Sequence, residues 1–329
     1  MKSHNNLIEK IADLDNLRLA YKKTARAKRK TFGYLEFKEF KEVNLELIRQ
    51  ELLDGTYKIG AYRHFTIYEP KARLVSALEF KDRLIQHALV GIIDPIFEAT
   101  FLPNTFACRV NKGTHAGVKY IQSELRKEPS HLYYLKTDYS KFFPSVNHNI
   151  LLELVHKKIA CKKTLYLIEE IVKPNEIGIP IGSLTSQLFA NVYGTIVDNF
   201  IHHDLKHRKW ARYMDDIVIL DSDMDRLKAD FYKIKQFSEQ NMSMKISKWH
   251  IKPTKSGINF LGYRIWDTHK LLRKNSVIRA KRKIAKYIKY RDNSALDKFL
   301  ASWRGHAEWA NTNNLFNWLE RKYENHYQY

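Results

Sequence analysis

The stretch RYMDDIVIL, residues 212–220, places two adjacent acids between two apolar arms. Apolar arms around a short polar centre predict a β-hairpin whose tip carries Asp215 and Asp216. Two like charges at a hairpin tip repel each other, and this repulsion falls sharply when cations bind there. Hard divalent ions such as Mg²⁺ prefer oxygen ligands. The stretch taken alone is equally compatible with a solvated turn, in which aspartate is common.

A second acid lies upstream, in the stretch LKTDYSKFF, residues 135–143. Asp138 follows a short apolar segment that predicts a strand, and it precedes an aromatic pair. If that strand lies beside the hairpin, Asp138 and Asp215 can hold two divalent ions, one activating a primer 3′-hydroxyl and one neutralising a triphosphate. Asp138 alone is also suited to capping a turn. We therefore predict Asp138, Asp215 and Asp216 as catalytic residues. The same acids and the Tyr139 carbonyl are the predicted ligands of two Mg²⁺ ions, for which Mn²⁺ can substitute.

Composition sets the broad class of the chain. It has 329 residues, 44% of them hydrophobic, which is enough to bury a core in two or three subdomains. The 57 Lys and Arg residues outnumber the 36 Asp and Glu residues, so the net charge is +21. Such an excess points first to nucleic acid as a partner, then to an anionic membrane surface, and otherwise to charge that maintains solubility.

Other classes of protein are disfavoured. Cys108 and Cys161 support neither a disulfide framework nor a zinc site and are predicted to be free thiols in a reducing cytosol. No apolar run approaches the roughly 20 residues of a membrane span. Residues 1–10 are polar, so we expect a cytoplasmic protein that does not associate with membranes. His203 and His207 have the spacing of zinc ligands but no third ligand, and a solvated helix face is predicted for them.

Periodicity elsewhere predicts helices and short strands in mixed order, which is typical of an α+β fold. The predicted elements are basic helices over 1–60, strands over 62–68 and 74–78, a helix over 80–97, a strand over 133–137, helices over 151–172, 184–205 and 231–237, a strand-like segment over 258–265 and a basic helical tail over 279–329.

Six blocks, in this order, resemble the motifs of reverse transcriptases, which belong to the right-hand polymerase family. They are EPKARL (69–74), FACRVNKGTH (106–115), DYSKFF (138–143), GSLTSQ (182–187), YMDD (213–216) and NFLGY (259–263). The resemblance covers residues 62–265. It implies an RNA-directed DNA polymerase with fingers, a palm built on an antiparallel sheet, and a helical thumb. The implied divisions are an N-terminal basic helical segment over 1–60, fingers and palm over 61–265, and a thumb over 266–329. No ribonuclease H domain is expected, so template removal would require another protein.

The resemblance also implies roles for residues outside the acidic set. Phe143 would lie under the sugar and crowd a 2′-hydroxyl, although an ordinary core phenylalanine is the alternative. Cations on a turn are often only solvated, but Lys71 and Arg73 stand in the motif that binds the triphosphate. The residues implied to bind dNTP are Lys71, Arg73, Phe143, Ile181, Gly182 and Gln187. Those implied to contact template or primer are Arg109, Lys112, Tyr213, Met214, Leu261 and Gly262.

The stretch IPIGSLTSQLFAN, residues 179–191, departs from the usual bacterial pattern, in which glutamine precedes the glycine. This variant, and ASWRGHA over 301–307, are similar to the reverse transcriptases of phage-type diversity-generating retroelements. That resemblance implies copying of a template-repeat RNA with frequent errors opposite adenine, in a bacterial host cell. Its implied partners are template RNA, the RNA–cDNA hybrid, dNTPs and a small basic oligomeric accessory protein. Ile181 cannot make the hydrogen bond of a glutamine, which suggests looser selection at the template base.

Two alternatives stay open. One is a reverse transcriptase of another bacterial lineage, such as a retron or phage-defence enzyme, and the absence of adenine-directed errors would identify it. The other is an RNA-binding protein without catalysis. Against the second stands the set of three acids, because a protein that only binds RNA has no use for carboxylates that repel one another.

Overall fold

The computed structural model describes residues 3–68, 72–127, 133–173 and 177–323. The chain divides into two compact units, each assembled from three separate segments. Unit 1 comprises Met1–Pro103, Asp138–Lys206 and Tyr232–Lys248, and unit 2 comprises Asn104–Thr137, His207–Phe231 and Trp249–Tyr329. The division predicted from sequence into 1–60, 61–265 and 266–329 stays a prediction.

Helices and strands alternate irregularly along the chain, as an α+β fold requires. The α-helices are α1 (Leu7–Ile11), α2 (Leu14–Thr24), α3 (Phe32–Glu39), α4 (Lys41–Asp54), α5 (Phe80–Glu98), α6 (Thr114–Lys127), α7 (His148–His156), α8 (Lys162–Val172), α9 (Leu184–Asn199), α10 (Met224–Met242), α11 (Lys274–Lys289), α12 (Asn293–Ala307) and α13 (Asn313–Tyr323). The strands are β1 (Arg63–Ile67), β2 (Arg73–Ala77), β3 (Tyr133–Tyr139), β4 (Trp210–Tyr213), β5 (Asp216–Asp221), β6 (Ile246–Pro253), β7 (Ile258–Phe260), β8 (Tyr263–Ile265) and β9 (Lys270–Leu272).

Within the described ranges, the strands form three sheets. β1 and β2 make an antiparallel hairpin, the larger sheet has the strand order β4-β5-β3-β6, and β7, β8 and β9 make an antiparallel meander. The pairs Tyr213↔Asp216 and Phe260↔Tyr263 each leave a loop of two residues. The sequence-based expectation of a hairpin over 212–220 is therefore confirmed, and the strand-like segment over 258–265 is a second hairpin.

The core of unit 1 is organised around α5, which packs against α2 and α9. Apolar residues of α5 such as Leu84, Ile85 and Leu89 are completely buried. At the start of the helix, Phe80 meets the rings of Tyr21 and Phe37 at centroid distances of 5.8 and 5.1 Å. The basic N-terminal helices predicted from sequence therefore contribute an aromatic cluster to a folded core.

The core of unit 2 joins its sheets to the C-terminal helices. Val118 and Ile121 of α6, Tyr134 of β3 and Val218 of β5 belong to one buried cluster with Trp303 of α12. Burial of aromatic and branched side chains supplies most of the free energy that holds such elements together. The C-terminal tail is thus part of the packed structure of this unit.

Several predicted elements differ from the observed ones. The helix predicted over 151–172 is two helices, because Ile159 forms a parallel bridge with His4 and the backbone there leaves the helical path. The helix predicted over 184–205 ends at Asn199 and continues as a π turn, Phe200–Asp204. Helix α10 extends well beyond 231–237, and α6, β6 and β9 were not predicted.

His207 corrects the interpretation of the histidine pair. Its side chain is buried, and its imidazole lies 3.0 Å from Asp230 Oδ2 and 3.4 Å from Asp221 Oδ2. The prediction of a solvated face is therefore wrong for His207, because Asp221 and Asp230 contact its buried ring, whereas His203 is exposed. None of the helices in the described ranges combines the length and the apolar character that a membrane crossing requires.

Candidate active site

The tip of the β4–β5 hairpin carries the two adjacent acids. Met214 and Asp215 form the two-residue loop, and Asp216 is the first residue of β5. Met214 has a φ of 54°, in the left-handed region that favours glycine. A non-glycine residue held there costs roughly 1–3 kcal/mol and persists only where the surroundings impose it. The hairpin therefore fixes its acids with a strained backbone.

Arg212 is one of the groups that impose this conformation. It is 1% exposed, and its Nη1 donates to the Met214 carbonyl at 3.2 Å. Its own backbone pairs with the segment just before α6: Arg212 N donates to Asn104 O and Phe106 N donates to Arg212 O, both at 3.0 Å. Sequence reasoning missed Arg212, although a cation in an otherwise apolar strand arm signals a buried partner.

Lys136 contacts the β4–β5 hairpin from the neighbouring strand of the sheet. Its ammonium donates to Asp216 Oδ2 and to the Asn259 carbonyl, both at 2.7 Å, and lies 5.5 Å from the centre of the Phe260 ring. The Lys136 and Asp216 side chains are only 14% and 22% exposed. Lys136 therefore neutralises the charge of Asp216 and connects the start of β5 to the β7–β8 hairpin. Burial, together with nearby lysines, lowers the pKa of His250 on β6. Sequence reasoning missed Lys136.

Asp138 is the penultimate residue of β3 and is half-buried. Its carbonyl accepts a hydrogen bond from Ser247 Oγ at 3.0 Å. The Tyr139 ring is buried, and its hydroxyl lies 2.7 Å from Ser238 Oγ. The side chain of Tyr139 thus belongs to the core of unit 1, which leaves the main-chain oxygen as the group predicted to bind metal.

The predicted metal ligands belong to different units and are described separately: Asp138 and Tyr139 lie in unit 1, and Asp215 and Asp216 lie in unit 2. Across the described residues, no three Asp, Glu, His or Cys side chains form a group that could hold a metal ion. The chemistry of the donors nonetheless fits a hard divalent ion, because all of them are oxygen atoms. The ligand set stays a prediction.

Within unit 1, the β1–β2 hairpin contacts the turn that precedes α9. Ser76 N donates to Ile181 O at 2.9 Å, and Gly182 follows with a φ of 108°. A Cβ at Gly182 would lie 2.7 Å from Val75 Cγ1, so only glycine allows this approach. Two predicted dNTP contacts, Ile181 and Gly182, therefore lie directly against β2.

The other predicted dNTP contacts occupy separate positions. Arg73 is exposed at the start of β2, Gln187 is exposed on α9, and Lys71 lies outside the described residues. Phe143 begins a 3₁₀ turn and is half-buried, with its ring edge-to-face against the buried Phe142 at 6.1 Å. The core member of the aromatic pair is therefore Phe142.

The predicted template and primer contacts lie in unit 2. Arg109 Nη1 donates to the Thr105 carbonyl at 3.0 Å, and Lys112 Nζ lies 5.0 Å from the centre of the Phe106 ring, so both cations contact their own segment. The remaining contacts are the half-buried Tyr213, the buried Met214 and the loop residues Leu261 and Gly262. Both loop residues have positive φ, 51° and 94°, which is the signature of a tight two-residue hairpin.

Comparison with known proteins gives the class of the chain. Residues 68–265 match the family described as reverse transcriptase (RNA-dependent DNA polymerase), and the chain belongs to this family. The family is one of RNA-directed DNA polymerases.

Relatives and solved structures agree with this assignment. Protein YkfC of Escherichia coli (strain K12) is 25% identical over 176 residues, which is 49% of this chain and 46% of that protein. The group II intron-encoded protein LtrA of Lactococcus lactis subsp. cremoris is 27% identical over 175 residues, 49% of this chain and 29% of LtrA. The chain thus spans less than half the length of these relatives. The structure of apo telomerase from Candida tropicalis is similar with a TM-score of 0.51 at 13% identity, over 66% of this chain and 49% of that one. The α+β right-hand polymerase fold predicted from sequence is confirmed.

Proposed function

We propose that this chain extends a DNA primer on an RNA template, using Asp138, Asp215, Asp216 and the Tyr139 carbonyl to hold two divalent ions. The observation that carries the proposal is the two-residue hairpin loop that presents Asp215 and Asp216, on a strand adjacent to β3 in one sheet. When bound, the ions would activate the primer 3′-hydroxyl and offset charge on the triphosphate and the leaving pyrophosphate. Mg²⁺ is the proposed ion, with Mn²⁺ as a substitute.

The chain's own groups would supply the remaining requirements of the reaction. The strained hairpin loop keeps the acids in fixed positions, and pre-organised charge is the largest catalytic contribution in most enzymes. Lys136 would hold the Asp216 carboxylate in position through their 2.7 Å contact and offset part of its charge until the ions bind. Arg73 and Lys71 would bind the triphosphate, and the half-buried ring of Phe143 would exclude a 2′-hydroxyl.

The test is primer extension on a generic RNA template with dNTPs and Mg²⁺ or Mn²⁺. Asp215→Ala should abolish extension, because it removes an ion ligand. Asp225→Ala is the matched control, since Asp225 is an exposed acid on α10. Extension by Asp215→Ala, or equal loss in both variants, would contradict the assignment. A parent chain that binds RNA without extending primers would favour the non-catalytic alternative.

The proposal also names a type of reverse transcriptase, one that copies a template-repeat RNA inaccurately opposite adenine. Its support is the resemblance of residues 179–191 to diversity-generating retroelements and the apolar Ile181, whose half-buried side chain adjoins Gly182. A glutamine would add a polar contact worth on the order of 1 kcal/mol, enough to alter discrimination several-fold. The net charge of +21 supports binding of template RNA and the RNA–cDNA hybrid. A small basic oligomeric accessory protein and the bacterial cytoplasm belong to the same proposal.

Sequencing of the extension products tests the type. The parent should misincorporate mainly opposite adenine, and Ile181→Gln should reduce those errors. Ile177→Gln is the control, because it makes the same change at a side chain that is 70% exposed. Errors spread evenly over the four template bases would favour a retron or phage-defence enzyme. Errors opposite adenine that Ile181→Gln leaves unchanged would remove the role of Ile181 alone.

A further inference from the structure

The hydroxyl of Tyr263 joins three elements of unit 2. Tyr263 is the first residue of β8, directly after the two-residue β7–β8 loop, and its ring is completely buried. Its Oη lies 2.8 Å from His306 O, 3.0 Å from His306 Nδ1 and 3.2 Å from His115 Nε2. His115 belongs to α6 and His306 to α12, so one phenolic oxygen connects two helices to the end of the loop.

The chemistry of the partners assigns the hydrogen atoms of this network. A carbonyl can only accept, so Tyr263 donates its single phenolic proton to His306 O. Both imidazoles must then donate to the phenolic oxygen, His306 from Nδ1 and His115 from Nε2. Burial lowers the pKa of both histidines, so each ring is neutral at neutral pH and has one N–H to donate. The His306 imidazole and the cations Lys270 and Lys119 act in the same direction on the pKa of His115.

The same two helices enclose the β7–β8 loop. The His306 ring lies over Gly262, where an added Cβ would be 3.3 Å from Cε1 and 3.4 Å from Nε2 of the ring. The Leu261 side chain packs on Gly117 of α6, where an added Cβ would lie 2.9 Å from Leu261 Cδ1. The positive φ of Leu261 is costly and persists only where the surroundings impose it. Contacts from α6 and α12 therefore impose the conformation of the loop.

A stacked indole fixes the His115 ring. The rings of His115 and Trp309 lie 3.9 Å apart between centroids, with planes only 13° from parallel, and Trp309 follows α12 directly. The stack and the hydrogen bond to Tyr263 together leave the imidazole one orientation. Polar networks whose members are all satisfied make their surroundings rigid.

We propose that His306 and His115 are positioning residues that act through Tyr263 to hold the β7–β8 loop in the conformation that binds the primer strand. The contact between this loop and the primer rests on the proposed function. Apolar packing alone tolerates small rotations, whereas three directional hydrogen bonds to one oxygen do not. Loss of the network therefore weakens binding of the primer and leaves binding of dNTP unchanged.

The first test removes the hydroxyl alone. Binding of a labelled DNA primer annealed to an RNA template is measured by fluorescence anisotropy, and the KM for primer and for dNTP by primer extension. Tyr263→Phe should weaken binding of the hybrid and raise the KM for primer about five-fold, with the KM for dNTP unchanged. Tyr193→Phe is the matched control, because Tyr193 is also buried and donates to a main-chain carbonyl, Met242 O at 2.6 Å, but lies in unit 1. It should lose stability and keep the parental affinity for primer.

Two pairs of variants with similar shape isolate the N–H donors. His306→Asn keeps a donor near the position of Nδ1, whereas His306→Leu removes it. His115→Gln and His115→Met make the same comparison for Nε2. We expect His306→Asn and His115→Gln to bind the hybrid within about two-fold of the parent, and His306→Leu and His115→Met to bind it about five-fold more weakly. Thermal unfolding confirms that each variant is folded.

Tyr263→Phe that binds the hybrid as tightly as Tyr193→Phe, or equal affinities within both pairs, would overturn the proposal and leave the network with a structural role alone. The outcome is separable from that of the proposed function. A parent chain that fails to extend primers, while Tyr263→Phe weakens binding of the hybrid, would overturn the proposed function and support the inference. A parent chain that extends primers, with a parental KM for primer in Tyr263→Phe, would do the reverse.

Discussion

Substituting Gly182 by alanine adds one methyl group where β2 packs against the turn before α9. The new Cβ would lie 2.7 Å from Val75 Cγ1 and 3.1 Å from Ser76 O. Neither neighbour moves easily, because valine is short and stiff and the Ser76 oxygen is main-chain. The φ of 108° is itself unfavourable for alanine. The expected loss is about 1–3 kcal/mol from backbone strain and about 1–3 kcal/mol from overpacking.

Gly113 separates the two contributions. It has a similar φ of 97°, but an added Cβ would meet nothing within 4 Å. Gly113→Ala should therefore cost only the strain, about 1–3 kcal/mol. Val75→Ala removes the methyl group that Gly182→Ala would strike, so the double variant should recover part of the loss. The expected coupling between the two positions is on the order of 0.5–3 kcal/mol.

The assay is denaturant unfolding of the parent and the four variants, followed by primer extension at several dNTP concentrations. Gly182→Ala should lose more stability than Gly113→Ala. It should also require more dNTP, because displacing β2 disturbs the Ser76–Ile181 hydrogen bond. Equal losses in the two glycine variants, without rescue by Val75→Ala, would refute the reasoning. That result would mean that β2 does not press on Gly182.

Three further predictions concern single side chains. Phe143→Ala should admit ribonucleotides in primer extension. Phe142→Ala should instead lower the free energy of unfolding by about 3–5 kcal/mol, because Phe142 is buried. If Phe143→Ala still rejected ribonucleotides, Phe143 would not be the residue that excludes the 2′-hydroxyl. Lys136→Met should cost about 3 kcal/mol in the free energy of unfolding, since it leaves the poorly exposed Asp216 carboxylate without its ammonium partner. Mg²⁺ should stabilise this variant more than the parent, and equal stabilisation in both would argue against a cation site at Asp216. Burial lowers the pKa of His207 below its ordinary value of 6.5, so folding favours the neutral ring, and the free energy of unfolding should fall as pH drops below that value. His207→Gln should flatten this dependence, and a parent curve that is already flat between pH 5 and 8 would contradict it.

The parts of the fold that were predictable are those that local pattern determines. Apolar arms around a polar pair predicted the hairpin over 212–220, and the segment over 258–265 contained a hairpin because Gly262 suits a tight loop. The break near Ile159 was not predictable, since its cause is a bridge to His4 at the far end of the chain. The burial of His207 was missed for the same reason, because Asp221 and Asp230 reach it from later elements.

The residues of the candidate site were also predictable only in part. The acids of the hairpin stand out because adjacent carboxylates are costly without a purpose. Lys136 could have been noticed, because a cation inside a short apolar strand needs a buried partner. The contact between Ser76 and Ile181 could not be predicted, since the two residues lie far apart in the sequence and only the fold brings β2 against the turn before α9.

Strained backbone conformations recur in the motif blocks, a shared feature that the composition of the chain does not show. Among the described residues, non-glycine residues with positive φ occur in four of the six blocks: Cys108 and Asn111, Lys141, Met214, and Leu261. Each such residue costs roughly 1–3 kcal/mol unless its neighbours impose the conformation. The neighbours that do so at the hairpin loop include Arg212, whose guanidinium holds the Met214 carbonyl. The YMDD motif contains the loop residue Met214, whereas the side chain that holds its carbonyl belongs to Arg212, the residue just before the motif. The residues that fix the acids are therefore found around the motif as well as within it, and Arg212 and Lys136 are the first of them.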